Sequence, residues 1–406
     1  MSNNLEAPRR PRELFERNVQ SDHIDSKTSP EIEPIVLPLG VFSRFVLQEQ
    51  PRLLAKVREK QLSPEDVAER QRNLLTSLDP RLVDRTINDP DMARFAMLDL
   101  SFAMSALTFS GVTPPAEVQK LNAHLAQATG LPEIMTFEKI ISVNSKLPFD
   151  QMRTFTEGAV GDSERRFYYG HDLMDVKMQD TTVVAAQSID VLIRQGEEGV
   201  EEVVDLLSRG ADNMGEFAEF MRSFMRMPRE HFGVFRQYLS QYPDGARNAS
   251  GGFIGLPRLN IRLVGLTPRY EQFLDEGMKY FPVKEQRDIQ YARELAQQGY
   301  YLVAQCEQLE GEEQKRVSKA VADVIEPIKD FRLRHLAAVN HFVPQALSEG
   351  LKNLKEELTQ TEEEPILEEK PGVAKGTAGF LAGPLLRNAL RMDIRALEKL
   401  NKIVNK

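Results

Sequence analysis

Apolar side chains recur along the chain at spacings of three and four positions, which is the repeat of a helix that buries one face. Apolar and polar residues nowhere alternate for long, as they do in a half-buried strand. The clearest helical runs are Phe95, Leu98, Leu100, Phe102, Met104 and Leu107, and later Val200, Val203, Val204, Leu206 and Leu207. The pattern therefore predicts an all-α protein.

Clusters of proline and glycine divide this helical pattern into parts. We predict a disordered arm over residues 1–30, a smaller helical domain over 31–150 and a larger helical domain over 155–406. Within the larger domain, the acidic stretch of 351–375 is too highly charged to pack, so we expect a mobile loop there. Such a loop is typical either of a solvated linker or of a lid over a site.

Composition narrows the functional classes. The 406 residues include 52 Lys and Arg against 61 Asp and Glu, and the net charge of −9 argues against a nucleic-acid partner. The single cysteine, Cys306, can form neither an internal disulfide nor a thiolate metal cage, so a bound metal would need histidine or carboxylate ligands. We find no signal-peptide core and no uninterrupted apolar run of the roughly 18 residues that a membrane span needs. We expect a cytoplasmic protein with no membrane partner.

His335 lies in the segment IKDFRLRHLAAVNHFV, which has the pattern of a helix. Pro327 suits the first turn of that helix and Pro344 would stop it, so we expect about 17 helical residues. His341 is rotated by about 240° from His335, so the two cannot share one ligand site. An apolar helical face with a single histidine is typical of a satisfied core residue or, less often, of a haem ligand. That face carries Ile328, Phe331, His335, Ala338 and Phe342.

A second helix with candidate chemistry begins near Pro228 and places an arginine among aromatic residues. The guanidinium of Arg236 needs a carboxylate there, either from this chain or from a ligand. His171 follows the run RRFYYG, and we expect it near the start of a helix as a surface or capping residue. The expected face of the Pro228 helix comprises His231, Phe232, Phe235, Arg236 and Leu239.

The glycine-rich stretch ASGGFIG, residues 249–255, allows the backbone to approach a flat or bulky group closely. It is not a GxGxxG turn after a strand, so it gives no support to dinucleotide binding.

Five segments, in this order along the chain, resemble the indoleamine 2,3-dioxygenase family: HFGVFRQYLS, ASGGFIGLPRLNIRLVG, YEQFLDEGMKYFP, FRLRHLAAVNHFV and AKGTAGF. The wider superfamily includes tryptophan 2,3-dioxygenases and the monodechloroaminopyrrolnitrin synthase-like branch, which rearranges an indole ring. The resemblance covers roughly residues 130–400, and its most specific parts are 231–265, 327–343 and 374–380. It implies a large all-α domain that binds haem b.

The resemblance also implies roles for individual residues. His335 matches the proximal histidine that binds the haem iron, and Arg236 matches the arginine that pairs with the substrate carboxylate. Phe232 matches an aromatic wall over the distal haem face. Two loops match segments close to haem and substrate: Ser250, Gly251 and Gly252 in the first, and Gly376 and Thr377 in the second, where Ala378 departs from a double glycine.

His231 departs from the indoleamine dioxygenase pattern, which has a phenylalanine at this position. A histidine here would either hydrogen-bond dioxygen or an indole N–H in the distal pocket, as a catalytic residue beside Arg236, or point away from the pocket.

The implied activity is oxidative cleavage of the indole C2–C3 bond, with dioxygen and tryptophan or a related indole or aromatic amino acid as substrates. Three alternatives stay open: ring rearrangement or mono-oxygenation in the same pocket, a non-catalytic haem carrier or sensor, and a helical interaction protein without haem.

Overall fold

The computed structural model describes residues 35–239, 255–342 and 382–406. Of these residues 82% are helical and none forms a strand, which confirms the all-α prediction. The arm predicted over 1–30 and the loop predicted over 351–375 lie outside the described residues. So do five predicted site residues: Ser250, Gly251, Gly252, Gly376 and Thr377.

Short helices build the N-terminal part of the described chain. They are α1 (Val41–Arg44), continued by a π-helical turn (Phe45–Glu49), α2 (Gln50–Arg58), α3 (Pro64–Thr76), α4 (Pro80–Asn88), α5 (Pro90–Phe109) and α6 (Ala116–Thr129), followed by irregular turns at Glu138–Val143, Asn144–Lys146 and Phe149–Gln151.

Longer helices dominate the rest. They are α7 (Gly158–Gln195), the turn Gly196–Gly199, α8 (Val200–Phe224), α9 (Arg229–Leu239), α10 (Gly255–Val264), α11 (Pro268–Gly277), the turn Met278–Tyr280, α12 (Val283–Gln297), α13 (Leu302–Cys306), α14 (Gly311–Phe342) and α15 (Ala382–Val404).

Two expected helix starts are wrong. Helix α14 begins at Gly311 and continues through Pro327, which lies in its interior rather than in its first turn. Valine and isoleucine side chains are buried before and after the proline, for example Val321 and Ile328, and this burial outweighs the roughly 3 kcal/mol cost of an internal proline. His171 lies well inside α7 rather than at a helix start.

The described residues from Val36 onward belong to one compact unit. Its buried apolar side chains fall into two main clusters, and both draw on α7. The first contains α5, the N-terminal part of α7 and the inner face of α9, whereas the second contains the remainder of α7 with α8 and α14. The division into domains near residues 150–155 stays a prediction.

One helix in the described part of the chain, α5, is long and apolar enough to cross a membrane by length and composition. Its apolar window is 72% buried inside the fold, so the helix packs as core here and is weak evidence for a span.

Helix α8 packs extensively against both α7 and α14, whereas α7 and α14 make little direct contact with each other. The three helices converge at Gly210 of α8, where a Cβ would lie 3.4 Å from Thr181 of α7 and 3.5 Å from Val324 of α14. A larger side chain at this position would push the two outer helices away from α8.

Candidate functional site

His171 and His335 lie at the same end of this three-helix group. Helix α8 runs parallel to α14. Phe217 lies seven residues after Gly210 on α8, and Phe331 lies seven residues after Val324 on α14. The rings of Phe217 and Phe331 contact each other, with centroids 4.4 Å apart. Helix α8 runs antiparallel to α7, since Phe224 near its C-terminus contacts His171, with ring centroids 4.7 Å apart.

His171 precedes Thr181 on α7 by ten residues, and His335 follows Val324 on α14 by eleven residues. Each of these two segments spans about 15 Å of helix. The two imidazoles therefore lie at one level, on two helices that α8 holds apart.

The environment of the His335 ring favours its neutral form. Part of its surface is accessible, yet burial, with a smaller contribution from Arg332, lowers its pKa to about 4. The ring is thus half-buried between helices and largely desolvated. Its ring packs against Phe331 at 5.4 Å, and it has no hydrogen-bond partner among the described residues. At neutral pH it is an uncharged imidazole, which is the form that binds iron.

Residues on either side of His335 are fixed by neighbouring helices, which orients this part of α14. The guanidinium of Arg332 donates to the side chain of Asn260 on α10 at 2.6 Å and to the backbone carbonyl of Ala389 on α15. It also meets the carboxylate of Asp393 at 2.8 Å, and both side chains of this ion pair are buried. Burial raises the pKa of Asp393 to about 7, and Arg332 opposes that rise.

His171 is held in one tautomer by its own helix. Its Nδ1 lies 2.7 Å from the backbone oxygen of Phe167, one turn earlier. A carbonyl oxygen only accepts, so Nδ1 carries the proton and Nε2 carries the lone pair in the neutral ring. Burial, opposed by the Phe167 bond, lowers the pKa of His171 to about 4, and the nearby imidazole of His335 lowers it further.

Aromatic rings enclose this end of the group. The Phe167 ring contacts His171 at 4.1 Å and Phe232 of α9 at 5.6 Å, and Phe232 reaches Phe342 of α14 at 5.0 Å. Phe342 follows His335 by two helical turns and therefore projects from the same side of α14. Gly170 lets the Phe224 ring lie against α7, since a Cβ there would come within 2.7 Å of that ring.

Helix α9 closes the site from one side. Its inner face is anchored by Phe235, Tyr238 and Leu239, which are buried in the first core, and the Tyr238 ring stacks on Phe155 at 4.8 Å. Arg236 lies one turn after Phe232, close to the same side of the helix, and is half-buried. Burial lowers the pKa of its guanidinium, which indicates a partly desolvated charge near the aromatic rings.

His231 projects elsewhere. Its Nδ1 lies 2.9 Å from the hydroxyl oxygen of Ser163, near the N-terminal end of α7, and the ring is half-buried. Ser163 lies two turns before His171 on α7. This position is typical of a histidine that fastens α9 to α7, although the predicted role of His231 toward a ligand stays a prediction.

The structure thus brings Phe232 and the helix of His335 together, with Arg236 one turn after Phe232 on α9, and adds His171, which the sequence pattern had suggested as a surface or capping residue. The sequence does contain one local indication that His171 lies inside a helix, because Phe167 and His171 are four positions apart within a long helical pattern. This indication stayed ambiguous because the partner helix α14 is more than 130 positions later in the chain. In residues 35–239, 255–342 and 382–406, no group of three or more His, Cys, Asp or Glu side chains is arranged to hold a metal ion.

Comparison with known proteins names no family for this chain. No family model matches it, and no curated protein matches it significantly.

The lowered pKa of His171 makes stability depend on pH. Between about pH 6.5 and about pH 4 the unfolded chain binds a proton at the His171 ring and the folded chain does not. The free energy of unfolding should therefore fall over this range as the pH drops, by up to about 3 kcal/mol. Urea unfolding of the ligand-free wild type and of His171→Leu at several pH values measures it, and the wild type should lose more stability in acid. His124→Leu, which removes an exposed histidine, is the control; parallel curves for wild type and His171→Leu would contradict the prediction.

Proposed function

We propose that this protein is a haem b-dependent oxygenase whose iron is held by His335 and whose substrate is tryptophan or a related indole or aromatic amino acid. The observation that carries the proposal is the neutral, partly accessible imidazole of His335, which has no hydrogen-bond partner within the described chain and packs against the Phe331 ring. The resemblance of the sequence motifs to the indoleamine 2,3-dioxygenase family gives independent support.

The residues of the site fit a haem. A porphyrin needs an apolar slot with a basic nitrogen on at least one side. Helices α7 and α14, held apart by α8, supply the two walls, and Phe167, Phe224 and Phe232 supply aromatic surface. A second imidazole, that of His171, lies close enough to His335 for the two rings to influence each other electrostatically. The haem would supply the binding and activation of dioxygen, and the protein would supply orientation and polarity.

Recognition of an amino-acid substrate falls to α9. A partly desolvated guanidinium gains most from a carboxylate, because two parallel N–H donors match its two oxygens. Arg236 would hold the substrate carboxylate, and Phe232, one turn earlier, would pack against the indole ring and exclude water. The predicted contributions of Ser250, Gly251, Gly252, Gly376 and Thr377 concern residues outside the described part of the chain.

Cleavage of the indole C2–C3 bond and rearrangement or mono-oxygenation of the ring would use the same anchors, so the products distinguish them. Purified protein should show a haem Soret band, and incubation with tryptophan, reductant and dioxygen should give a product that is two oxygen atoms heavier. A product one oxygen heavier or of unchanged mass would favour the alternatives. Haem with no turnover of any indole would favour a carrier or sensor, and a protein that takes up no haem would contradict the proposal.

Arg236→Leu should weaken tryptophan binding at least about thirtyfold while haem content stays the same, since loss of one partner of a desolvated charge pair costs about 2–5 kcal/mol. The chain contains no tryptophan, so fluorescence of the substrate itself reports binding against a dark background. The matched control is Arg229→Leu, which removes an exposed arginine at the start of α9. If the wild type binds tryptamine, which lacks the carboxylate, as tightly as tryptophan, the role of Arg236 is wrong.

A further inference from the structure

The proposed function leaves one buried carboxyl group of α7 unused, that of Glu164. This group contacts the linker of residues 152–157, which joins the turn Phe149–Gln151 to α7. Residues 152–156 are buried although none of them is helical, so their backbone N–H groups need acceptors from elsewhere in the chain. Glu164 is the acceptor for two of these N–H groups.

The two oxygens of Glu164 together accept four hydrogen bonds. Oε1 accepts from the backbone N–H of Phe155 at 2.8 Å and from the hydroxyl of Tyr168 at 2.6 Å. Oε2 accepts from the backbone N–H of Thr156 at 3.0 Å and from the hydroxyl of Thr156 at 2.5 Å. Gly161 allows the linker to lie this close to α7, since a Cβ there would come within 2.7 Å of the carbonyl oxygen of Thr156. Glu164 therefore fixes the end of the 152–157 linker on α7.

The linker in turn carries an aromatic ring that supports α9. Phe155 stacks on Phe102 of α5 at 4.4 Å and on Tyr238 of α9 at 4.8 Å. The hydroxyl of Tyr238 accepts a hydrogen bond from the guanidinium of Arg58 at 3.0 Å. The position of Phe155 therefore helps to set the position of α9, the helix that carries Arg236.

We propose that Glu164 is a positioning residue for the proposed site: its neutral carboxyl group holds the 152–157 linker on α7 and so seats Phe155 against α9, and loss of its proton loosens the linker and α9 together. The part of this inference that concerns ligand binding by α9 rests on the proposed function. A buried carboxylate without a cation is unfavourable, and water stabilises it when the linker opens. Loss of the proton therefore favours the open linker.

The neutral acid keeps every contact between Glu164 and the linker. With the proton on Oε2, this O–H donates to the hydroxyl oxygen of Thr156, which can accept as well as donate. Oε2 still accepts from the backbone N–H of Thr156, and Oε1 still accepts from Phe155 and Tyr168. Protonation thus removes a buried charge without leaving the linker unbound.

The elements packed around Glu164 bring no cation into contact with it within the described chain. The Arg58 guanidinium of α2 is bonded to Tyr238, and the Arg153 guanidinium of the linker is paired with Asp99 of α5 at 2.7 Å. Tyr238 of α9 is the titratable group that approaches from the opposite helix. Burial raises the pKa of Tyr238, Arg58 opposes this rise, and the Glu164 carboxylate adds to it.

The expected pH dependence follows from these surroundings. Burial raises the pKa of Glu164 to about 7, and its four hydrogen bonds oppose that rise. In the open linker the carboxyl group is hydrated, and its pKa returns toward 4.5. Opening should therefore increase with pH from about 4.5 to about 7, by up to about tenfold for each pH unit, and then level off. This sign is opposite to the one predicted for His171.

Hydrogen–deuterium exchange of the full-length protein, corrected for the intrinsic pH dependence of amide exchange, measures opening of the linker and of α9. In the wild type, opening of the linker should rise at least about tenfold between about pH 5 and about pH 7, and α9 should follow in the same direction. In Glu164→Gln, which is uncharged at every pH, neither segment should respond. Glu157→Gln is the matched control, because it removes an exposed carboxylate of the same linker whose ion pair with Arg52 is 3.5 Å long. Its curve should match that of the wild type.

Tyr168→Phe tests the titration of Glu164 with the carboxyl group in place. This change removes one donor to the carboxylate and so disfavours the charged form. The pH at which opening levels off should therefore move upward. A side chain that only fills space would cause no such shift, and the variant decides the question even if Glu164→Gln does not fold.

The affinity of the holoprotein for tryptophan, followed by fluorescence of the substrate, reports the consequence for the site. Over this pH range tryptophan keeps the charges of its carboxylate and ammonium groups. Affinity should fall as the pH rises in the wild type and in Glu157→Gln, and it should stay constant in Glu164→Gln.

Three results would overturn the inference: opening that still depends on pH in Glu164→Gln, an unchanged curve in Tyr168→Phe, or a linker that responds to pH while α9 does not. A pH dependence that disappears in His231→Phe instead would assign it to the histidine that joins α9 to Ser163.

Failure of the proposed function is recognised separately. In that case the wild type shows no Soret band or binds no tryptophan, and the exchange curves alone decide whether Glu164 positions α9. Failure of the inference alone leaves a haem protein that binds tryptophan and whose exchange curves are the same with and without the Glu164 carboxyl group.

Discussion

His335→Ala is expected to yield a folded protein that binds haem more than about a hundredfold more weakly than the wild type. Loss of an outer-shell partner of a metal ligand already costs about ten- to a hundredfold in affinity, and loss of the ligand itself should cost more. The fold should survive because the imidazole is neutral and its removal leaves no described polar group without its hydrogen bond.

Reconstitution of the purified variant with haem, followed by Soret absorbance and the mass of bound haem, measures this effect. His341→Ala is the matched control, because His341 lies on the same helix but is exposed and points in another direction. Added imidazole should restore part of the haem spectrum in His335→Ala. Stoichiometric haem with an unchanged spectrum in this variant would show that another residue holds the iron.

Arg332→Met is expected to lower the free energy of unfolding by about 3–5 kcal/mol, because it leaves the buried carboxylate of Asp393 without its cation. It also removes the donors to Asn260 and to the carbonyl of Ala389, which join α14 to α10 and α15. The second change, Asp393→Leu in the same chain, should recover most of the loss, since a buried ion pair replaced by apolar side chains costs little.

Urea unfolding of the single variants and the double variant forms a complete cycle for this pair. Arg334→Met is the control on the same helix. Its guanidinium makes only a long ion pair of 3.8 Å with exposed Glu219 and a long hydrogen bond of 3.4 Å to the carbonyl of Ala218, so the loss should stay below about 1 kcal/mol. If Arg332→Met and Arg334→Met lose the same stability, the buried pair is not what fixes α14.

The two predictions are linked through the geometry of α14. Arg332 precedes His335 by one turn, so the contacts that fix the guanidinium also fix the direction of the imidazole. Haem affinity should therefore fall in Arg332→Met as well, but less than in His335→Ala, because the ligand itself is still present.

Periodicity was sufficient to predict helices, because the three- and four-residue spacing is a local property of the chain. It placed the start of α9 next to Pro228, where the structure has it. The predicted helix start at Pro327 was wrong. A local pattern takes account of the hydrogen bond that a proline loses, but not of the burial of valine and isoleucine side chains on both sides of it. That burial depends on α8 and α15, which no local pattern contains.

The sequence by itself determined the all-α class, the apolar face that carries His335 and the aromatic neighbours of Arg236. The tertiary structure alone decided that His171 lies near His335, that Nδ1 of His171 is bonded to the backbone oxygen of Phe167, and that His231 is bonded to Ser163. The reason is physical. Helix formation depends on residues a few positions apart. A site between helices depends on how far α8 holds α7 and α14 apart, and this is fixed by contacts such as those of Gly210 with Thr181 and with Val324, which are 29 and 114 positions away.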